Sequence, residues 1–330
     1  MSSRLRAAAF LPLLAVIGCD PDVVVGYAAD ATAVAQRVPV TWLSGTHSGN
    51  EPPDYTAFGA WRDRPVGLAH LYTDRNTWGG LVNPGWPLDV FASFPGQVML
   101  SQPLYPLGMG NNQDCASGAY DAEWRQLGAY LLERDRGDAI IRLGWGPSDP
   151  SHEWRSEPDP TQWKECFRRV VTAIRATHPR VRIDWTLDAH TWPDGTLADP
   201  YDAYPGDEYV DVIGADAYDM HPPTHDEAEW QRKCNGPNGL CRMIEFAREH
   251  GKQVGFGEWG VVSCGEDPGG DNPFFIDKMF ETFAANTDIL AYEAYFDDTG
   301  ADVCTTIMHD GPNPESARRY RELYRTTSSD

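Results

Sequence analysis

The feature of this sequence that most constrains its fold is a series of eight short apolar segments, most of them separated by helical stretches. Several segments are almost continuously apolar rather than alternating, as is expected of parallel strands covered on both faces. The predicted strands are Val38–Thr46, Pro65–Tyr72, Gln97–Tyr105, Ala139–Trp145, Val181–Leu187, Val210–Tyr218, Gln253–Trp259 and Ile289–Phe296.

Amphipathic helices are predicted between and after the later strands. Eight strands with helical stretches between most of them, within roughly 290 residues, match the strand count and length of a (β/α)8 TIM barrel, an α/β fold. A doubly wound sheet is the alternative, but "TWLSGTHSGN" after the first strand lacks that fold's Gly-x-Gly-x-x-Gly turn. The predicted helices are Tyr120–Arg134, Gln162–Thr177, Leu240–His250, Pro273–Ala285 and Glu315–Tyr324.

The N-terminal region has the layout of an export signal. Arg4 and Arg6 precede a short apolar stretch, and the sequence "LAVIGC" that ends at Cys19 resembles a bacterial lipobox. We therefore expect a signal peptide over residues 1–19, a flexible tail over 20–36 and one catalytic barrel over 37–330. The protein would be lipid-anchored through Cys19 at the bacterial surface or periplasmic face. An ordinary secretory signal, cut a little later, is the alternative.

The cysteine content also favours export, because disulfides persist in oxidising compartments. Seven cysteines leave six once Cys19 is set aside for a lipid, and six allow fifteen pairings. A turn-rich loop lies between two of them, two others each follow a predicted strand, and the last two remain by elimination. The expected pairs are Cys234 with Cys241, Cys264 with Cys304, and Cys115 with Cys166. A zinc site is disfavoured because no Cys-x-x-Cys spacing occurs.

The net charge of −22 argues against nucleic acid and against a basic membrane-docking face. A neutral or weakly charged substrate fits this balance better, and we expect a monomer without a cofactor. A metal site built from the acids and His190, His221 and His225 is a competing interpretation, but scattered loop histidines are more often exposed to solvent or in contact with substrate.

Acids, aromatics and histidines cluster where the predicted strands end, which is where the active site of this fold lies. Aromatic rings stack on sugars, and glycosidic cleavage needs two carboxyl groups. Glu258, at the end of "QVGFGEW", is the strongest candidate because an ionisable group there is seldom used for packing. The other candidates are Trp145, Asp149, Glu153, Trp154, Asp188, His190, Asp216, Tyr218, Trp259 and Tyr295. Trp145 and Trp259 could instead be core residues, and Asp216 a loop acid that bonds backbone amides.

Three of these strand ends resemble glycoside hydrolase family 26. They are "AIIRLGW" (139–145), "YPGDEYVDVIGADAYD" (204–219) and "GFGEWG" (255–260). The resemblance extends over most of the chain from about residue 38. It implies a (β/α)8 barrel that hydrolyses β-mannan, or sometimes β-1,3-xylan or mixed glucans, usually with retention.

The resemblance also implies residue roles. Glu258 falls on the family's nucleophile, Tyr218 on the tyrosine that hydrogen-bonds it, and Trp145 on the position before the acid/base. Gly146 stands where the acid/base glutamate is expected. The proton donor could have moved to Glu153 or Asp149, Glu258 could pair with Asp188 or Asp216, or donation could be lost in a barrel that only binds glycan.

We expect the first of these explanations to hold. The sequence then predicts an exported, endo-acting glycoside hydrolase of a polysaccharide, with Glu258, Glu153 and Asp149 as catalytic residues. The remaining candidates would contact the sugar. A surface glycan-binding lipoprotein on a degenerate hydrolase barrel is the alternative. A third hypothesis is a hydrolase of an unusual substrate, such as a furanoside or a bacterial cell-envelope glycan.

Overall fold

The structure is a computed structural model that describes residues 39–190, 199–300, 303–308 and 311–325. The predicted signal peptide, the tail and Cys19 lie outside these described residues. In the described part of the chain, no helix has the length and apolar character needed to cross a membrane.

Eight parallel strands close into a barrel in chain order, and the last strand pairs with the first. The predicted (β/α)8 fold is therefore confirmed. The strands are β1 (Ser44–His47), β2 (Leu68–Tyr72), β3 (Gln97–Gln102), β4 (Ile140–Leu143), β5 (Arg182–Asp188), β6 (Val212–Tyr218), β7 (Gln253–Gly260) and β8 (Leu290–Phe296).

The helices of the described chain surround this barrel. They are α1 (Pro52–Trp61), α2 (Trp78–Val82), α3 (Gly85–Leu88), α4 (Asn112–Ala116), α5 (Asp121–Glu133), α6 (Pro160–Thr177), α7 (Glu227–Cys234), α8 (Leu240–Glu249), α9 (Pro273–Ala285) and α10 (Pro314–Tyr324). The five predicted helices correspond to α5, α6, α8, α9 and α10. The other helices were not predicted, and most of them are too short to show a clear apolar period.

Local sequence explains where the helix that follows β4 begins. The Asp159 carboxylate accepts a hydrogen bond from the Gln162 N–H at 3.0 Å, and Pro160 occupies the first turn, where its missing N–H costs nothing. The buried face of α6 carries Trp163, Phe167 and Val170. This well-capped helix anchors the far end of the loop that leaves β4.

The first strand is shorter than predicted. Val40 and Trp42 are buried, but they belong to the layer outside the barrel, where the Trp42 ring lies 5.4 Å from that of Phe280 and 6.1 Å from that of Phe283. An apolar run therefore marked burial correctly without marking strand pairing, because helix packing and sheet packing bury the same side chains.

All three predicted disulfides form. Cys115–Cys166 joins α4 to α6, and Cys234–Cys241 joins α7 to α8. Cys264–Cys304 joins the loop after β7 to the loop after β8. The last bridge therefore braces two loops at the end of the barrel where the candidate residues lie.

Candidate active site

A cavity of about 790 Å³ opens at the carboxyl ends of the strands. Residues from the ends of β2, β4, β5, β6, β7 and β8 all reach it, as the fold predicts. Its walls combine aromatic rings with carboxylates. The lining residues are Tyr72, Arg75, Trp145, Asp149, Pro150, His152, Asp188, His190, Asp216, Tyr218, Met220, His221, Glu258, Glu266, Phe296, Asp298 and Val303.

Glu258 lies in this cavity near the end of β7 and is only 9% exposed. The Tyr218 hydroxyl donates to its Oε2 at 2.7 Å, and the Tyr72 hydroxyl donates to Oε1. Arg142 Nη1 lies 2.9 Å from Oε1. Burial by itself would raise the pKa of Glu258, but the Arg142 guanidinium and the two tyrosine hydroxyls outweigh it and lower that pKa. The carboxylate is therefore held ionised.

Arg142, which supplies this charge, was not singled out from the sequence. It is fully buried in β4, where it forms a second ion pair with Asp216 and donates to Ser101 Oγ at 2.8 Å. A Cβ atom at position 257 would lie 2.8 Å from its Nε, so Gly257 is what allows the guanidinium to pass beside β7. A lone arginine inside the apolar run "IIRL" was the sequence signal for this role.

Asp216 shares Arg142 with Glu258 but responds differently. Burial raises the pKa of Asp216 strongly, and the negative charges of Glu258 and Asp188 add to the rise, while Arg142 opposes it. Because one guanidinium cannot fully neutralise two buried carboxylates, we take Glu258 as the member that stays ionised. Two tyrosine hydroxyls bond its carboxylate and favour its charged form.

Two more predicted residues, from the end of β5, line the cavity. Asp188 Oδ2 accepts a hydrogen bond from Ser148 Oγ at 2.6 Å, which links this acid to the loop after β4. Burial, together with the nearby Lys233 and His221, lowers the pKa of His190 to about 3, so this ring is neutral near neutral pH. A neutral imidazole can exchange hydrogen bonds with a sugar hydroxyl without adding charge.

The loop after β4 explains the glycine at position 146. Gly146 has a φ of +55°, and a Cβ there would lie 2.8 Å from Cε1 of His152. The His152 ring therefore fills the space in which a side chain at 146 would begin. Asp149 lies beside it, with Oδ2 3.7 Å from His152 Nε2, and both residues line the cavity.

The structure does not bring Glu153 into the cavity. Its side chain is exposed, and its Oε2 accepts a hydrogen bond from the Gly108 N–H at 2.7 Å, in the loop after β3. The Tyr105 hydroxyl donates to its main-chain carbonyl at 2.9 Å. The cause is the tight turn after Gly146, which directs His152 toward the cavity and the next side chain away from it.

Three predicted sugar contacts are buried instead in the protein core, with at most 1% exposure. Trp154 Nε1 donates to the Trp145 carbonyl at 2.8 Å, and Trp259 Nε1 donates to Glu293 Oε2 at 2.7 Å. The Tyr295 hydroxyl donates to the Thr305 carbonyl at 2.8 Å. Because their polar atoms are satisfied inside the protein, these residues support the cavity and do not face it.

Two aromatic residues that were not predicted as site residues complete the walls. Tyr72 ends β2, and its ring meets that of Trp145 edge-on at 5.5 Å. Phe296 ends β8 and stacks on His47 at 4.7 Å. Both occupy the last position of a strand, so the rule that identified Tyr218 applied to them as well.

Within the described residues, no group of three or more acids, histidines or cysteines is arranged to hold a metal ion.

Comparison with known proteins finds similarity to one family of glycoside hydrolases. The model of glycosyl hydrolase family 26 matches residues 145–253. A mannan endo-1,4-beta-mannosidase from Bifidobacterium adolescentis is 25% identical over 242 residues, which cover 68% of this chain and 23% of that protein. The chain thus spans about a quarter of the length of this curated relative.

Solved structures show the same fold. The catalytic domain of an endo-beta-1,4-mannanase of this family from Bacillus sp. JAMB-750 superposes with a TM-score of 0.61 at 15% identity, covering 86% of each chain. A modular endo-beta-1,4-mannanase from Cellulomonas fimi gives 0.59 at 17% identity, covering 88% of this chain and 70% of that one.

Fold and cavity thus define a (β/α)8 barrel with a cavity of aromatic rings and carboxylates at the carboxyl ends of its strands. Within that class the chain resembles glycosyl hydrolase family 26, and the similar proteins include its mannanases. The resemblance stated from the sequence is confirmed.

Proposed function

We propose that the protein is a glycoside hydrolase that cleaves a polysaccharide, with Glu258 as nucleophile and a β-mannan-type glycan as the first substrate to test. The observation that carries this proposal is the ionised Glu258 carboxylate in a cavity with aromatic walls. We propose that the protein cleaves internal bonds of the polysaccharide, because the relatives' names describe endo-acting mannanases.

In this mechanism an oxygen of Glu258 attacks the anomeric carbon and forms a glycosyl–enzyme intermediate, which water then hydrolyses. Tyr72 and Tyr218 orient the carboxylate, and Arg142 keeps it ionised beneath the sugar. Trp145 and Phe296 offer apolar ring surface at the cavity wall. Gly146 has no side chain that could donate a proton, so the donor must come from elsewhere in the cavity.

The loop after β4 is the best source of that donor. Asp216 is engaged by Arg142 and Asp188 by Ser148, which disfavours either as a free acid/base. Glu153 turns away. Asp149 and His152 remain, side by side and at the cavity wall.

We also propose that the protein is exported, with Cys19 as the site of a lipid anchor. The three disulfides support export, because such bonds are rare in reducing compartments. Fractionation of cells that make the full chain, with radiolabelled lipid and a Cys19→Ser control, tests the anchor. Equal labelling of both proteins would show that Cys19 is not the site of a lipid anchor.

The central experiment measures new reducing ends from mannans, xylans, glucans and cell-envelope arabinans. Wild-type protein is compared with Glu258→Gln and with Glu249→Gln, a matched change of an exposed glutamate at the end of α8. We expect Glu258→Gln to lose roughly 10⁴-fold or more in kcat, as other covalent catalysts do without their nucleophile. Glu249→Gln should stay within about twofold. Full activity in Glu258→Gln would reject the assignment.

The glycine at position 146 favours a second candidate function, which is glycan binding without cleavage. In that case the wild-type protein would bind a glycan of the panel and release no reducing ends. Short oligosaccharide products from the wild type would instead support the hydrolase and its internal cleavage.

A further inference from the structure

The loop after β4 places a side chain directly beside Gly146, where the glutamate is missing. The ring of His152 comes within 2.8 Å (Cε1) and 3.0 Å (Nδ1) of the point where a Cβ at position 146 would stand. The same ring lines the cavity that holds Glu258. A protonatable ring therefore occupies the space in which a side chain at position 146 would begin, although it comes from six positions further along the chain.

Hydrogen bonding determines which nitrogen of His152 is available. Nδ1 lies 3.0 Å from the Gly146 carbonyl oxygen, which can only accept, so Nδ1 carries a hydrogen. Nε2 is left to face Asp149 Oδ2 at 3.7 Å. The other oxygen of Asp149 already accepts from the Ser151 N–H at 2.7 Å. Nε2 is therefore the ring nitrogen that can exchange a proton with a substrate, and Asp149 lies beside it.

Packing holds the imidazole in place. It stacks on the Trp154 ring at 4.4 Å and meets the Trp145 ring edge-on at 5.7 Å. Trp145 in turn packs against Tyr72, whose hydroxyl donates to Glu258. One continuous set of contacts thus connects the imidazole with the nucleophile, and a catalytic group needs such fixed supports.

We infer that His152, paired with Asp149, is the acid/base of this site in place of a residue at position 146. The inference rests on the proposed hydrolase function and names the residue that completes it. His152 is the catalytic residue, and Asp149 is a positioning residue that stabilises the imidazolium.

When Glu258 bonds to the anomeric carbon, the bond to the leaving sugar breaks, its electron pair stays on the glycosidic oxygen, and that oxygen takes the Nε2 proton. The neutral imidazole then removes a proton from water as the water oxygen bonds to the anomeric carbon. The bond to Glu258 breaks, its electrons return to the carboxylate, and the imidazolium is restored.

The test uses His152→Gln, which retains a donor for the Gly146 carbonyl but cannot transfer a proton. Two substrates are compared: the glycan that the wild type cleaves, and a dinitrophenyl glycoside of the same sugar, whose leaving group needs no proton. We expect kcat on the glycan to fall about 10²–10⁴-fold, with KM little changed. Formation of the glycosyl–enzyme from the dinitrophenyl glycoside, followed as the burst of dinitrophenolate, should fall less than about tenfold.

The matched control is His250→Gln. His250 also faces an aspartate, with Nδ1 2.7 Å from Asp207 Oδ1, but it lies at the end of α8 outside the cavity. Both substrates should stay within about twofold of wild type in this variant. Asp149→Asn provides a second measurement, because it should lower kcat on the glycan at unchanged KM and spare the burst. Thermal unfolding verifies that each variant is folded.

The outcomes separate the inference from the proposed function. If His152→Gln cleaved the glycan at the wild-type rate, the role of His152 would be overturned and Glu258 would remain the nucleophile. An equal loss on both substrates would also overturn it, because it would indicate damage to the cavity. If the wild type cleaves neither substrate, both the proposed function and this inference fall.

Discussion

The two strand ends that carry the proposed chemistry, β7 and β4, are supported in opposite ways. Glu258 on β7 is held by side chains from other strands, namely Tyr72 on β2, Arg142 on β4 and Tyr218 on β6. His152, after β4, is held by its own loop, through the Gly146 carbonyl and the Trp154 ring. A residue on a strand is thus positioned by the barrel, and a residue on a loop by local backbone geometry.

This difference has a consequence for substitution. Changes around Glu258 act through charge and hydrogen bonding in a rigid, buried setting, where an unpaired group is costly. Changes around His152 act through the shape of a turn, where backbone strain and close contacts decide the outcome. The variants below test this contrast in order of decreasing expected effect.

The largest effect is expected for Arg142→Met, which leaves Glu258 and Asp216 buried without their shared cation. Breaking a buried pair in this way costs about 3–5 kcal/mol of folding free energy. This loss of folding free energy should shrink as the pH falls, because protonation of the buried Glu258 carboxylate removes its uncompensated charge. Urea unfolding of wild type and variant at neutral and at acidic pH measures it. A deficit that is the same at both pH values would show that charge is not the cause.

Gly146→Ala tests the β4 side, with Gly251→Ala as its control. Both glycines have positive φ, +55° and +63°, so both substitutions should cost about 1–3 kcal/mol from backbone strain. Only position 146 is crowded, by the His152 ring, whereas a Cβ at 251 meets no atom within 4 Å. We therefore expect Gly146→Ala alone to lower kcat on the glycan. Equal kcat values in the two variants would show that the placement of His152 does not matter.

Tyr218→Phe tests the hydrogen bonding at β7 through the pH profile. Glu258 must be ionised to attack, and its pKa lies below the ordinary value partly because Tyr218 donates to it. Without that hydroxyl the pKa rises, so the acid limb of kcat/KM should move to higher pH by about one unit, the value of one hydrogen bond to a charged group. Tyr209→Phe, outside the cavity, is the control and should leave the limb in place. If the acid limb of kcat/KM stayed at the same pH in Tyr218→Phe, Tyr218 would not be responsible for lowering the pKa of Glu258.

The smallest effect is expected for Glu153→Gln. Its carboxylate bonds the Gly108 N–H outside the cavity, and glutamine retains an oxygen that can accept there. Activity on the glycan should stay within about twofold of wild type. A loss of 10²-fold or more would return the proton donor to Glu153 and would contradict the contrast between the two strand ends.

Much of this molecule was predictable because its signals are local in the chain. The eight strands, five of the helices and the three disulfides follow from apolar periodicity, turn composition and cysteine spacing. Glu258 was identifiable because a charge at the end of an apolar strand has few structural uses, and its role as nucleophile stays a prediction until it is tested.

The features that could not be predicted depend on the directions in which side chains point in the folded protein. Glu153 and His152 are adjacent in sequence, yet only His152 faces the cavity, because the turn after Gly146 sets which side chain points inward. Trp154, Trp259 and Tyr295 were expected at the sugar and are buried. Arg142 was passed over because its two carboxylate partners come from strands far along the chain.

The sequence by itself determined the barrel, the covalent bridges and the strand ends at which the cavity forms, since period, composition and cysteine positions act over short stretches of chain. Only the tertiary structure decided which side chains meet there. The charge state of Glu258 depends on groups brought from three other strands, and the place left by Gly146 is filled by a ring from further along its own loop. Both results follow from distances that a linear order of residues does not contain.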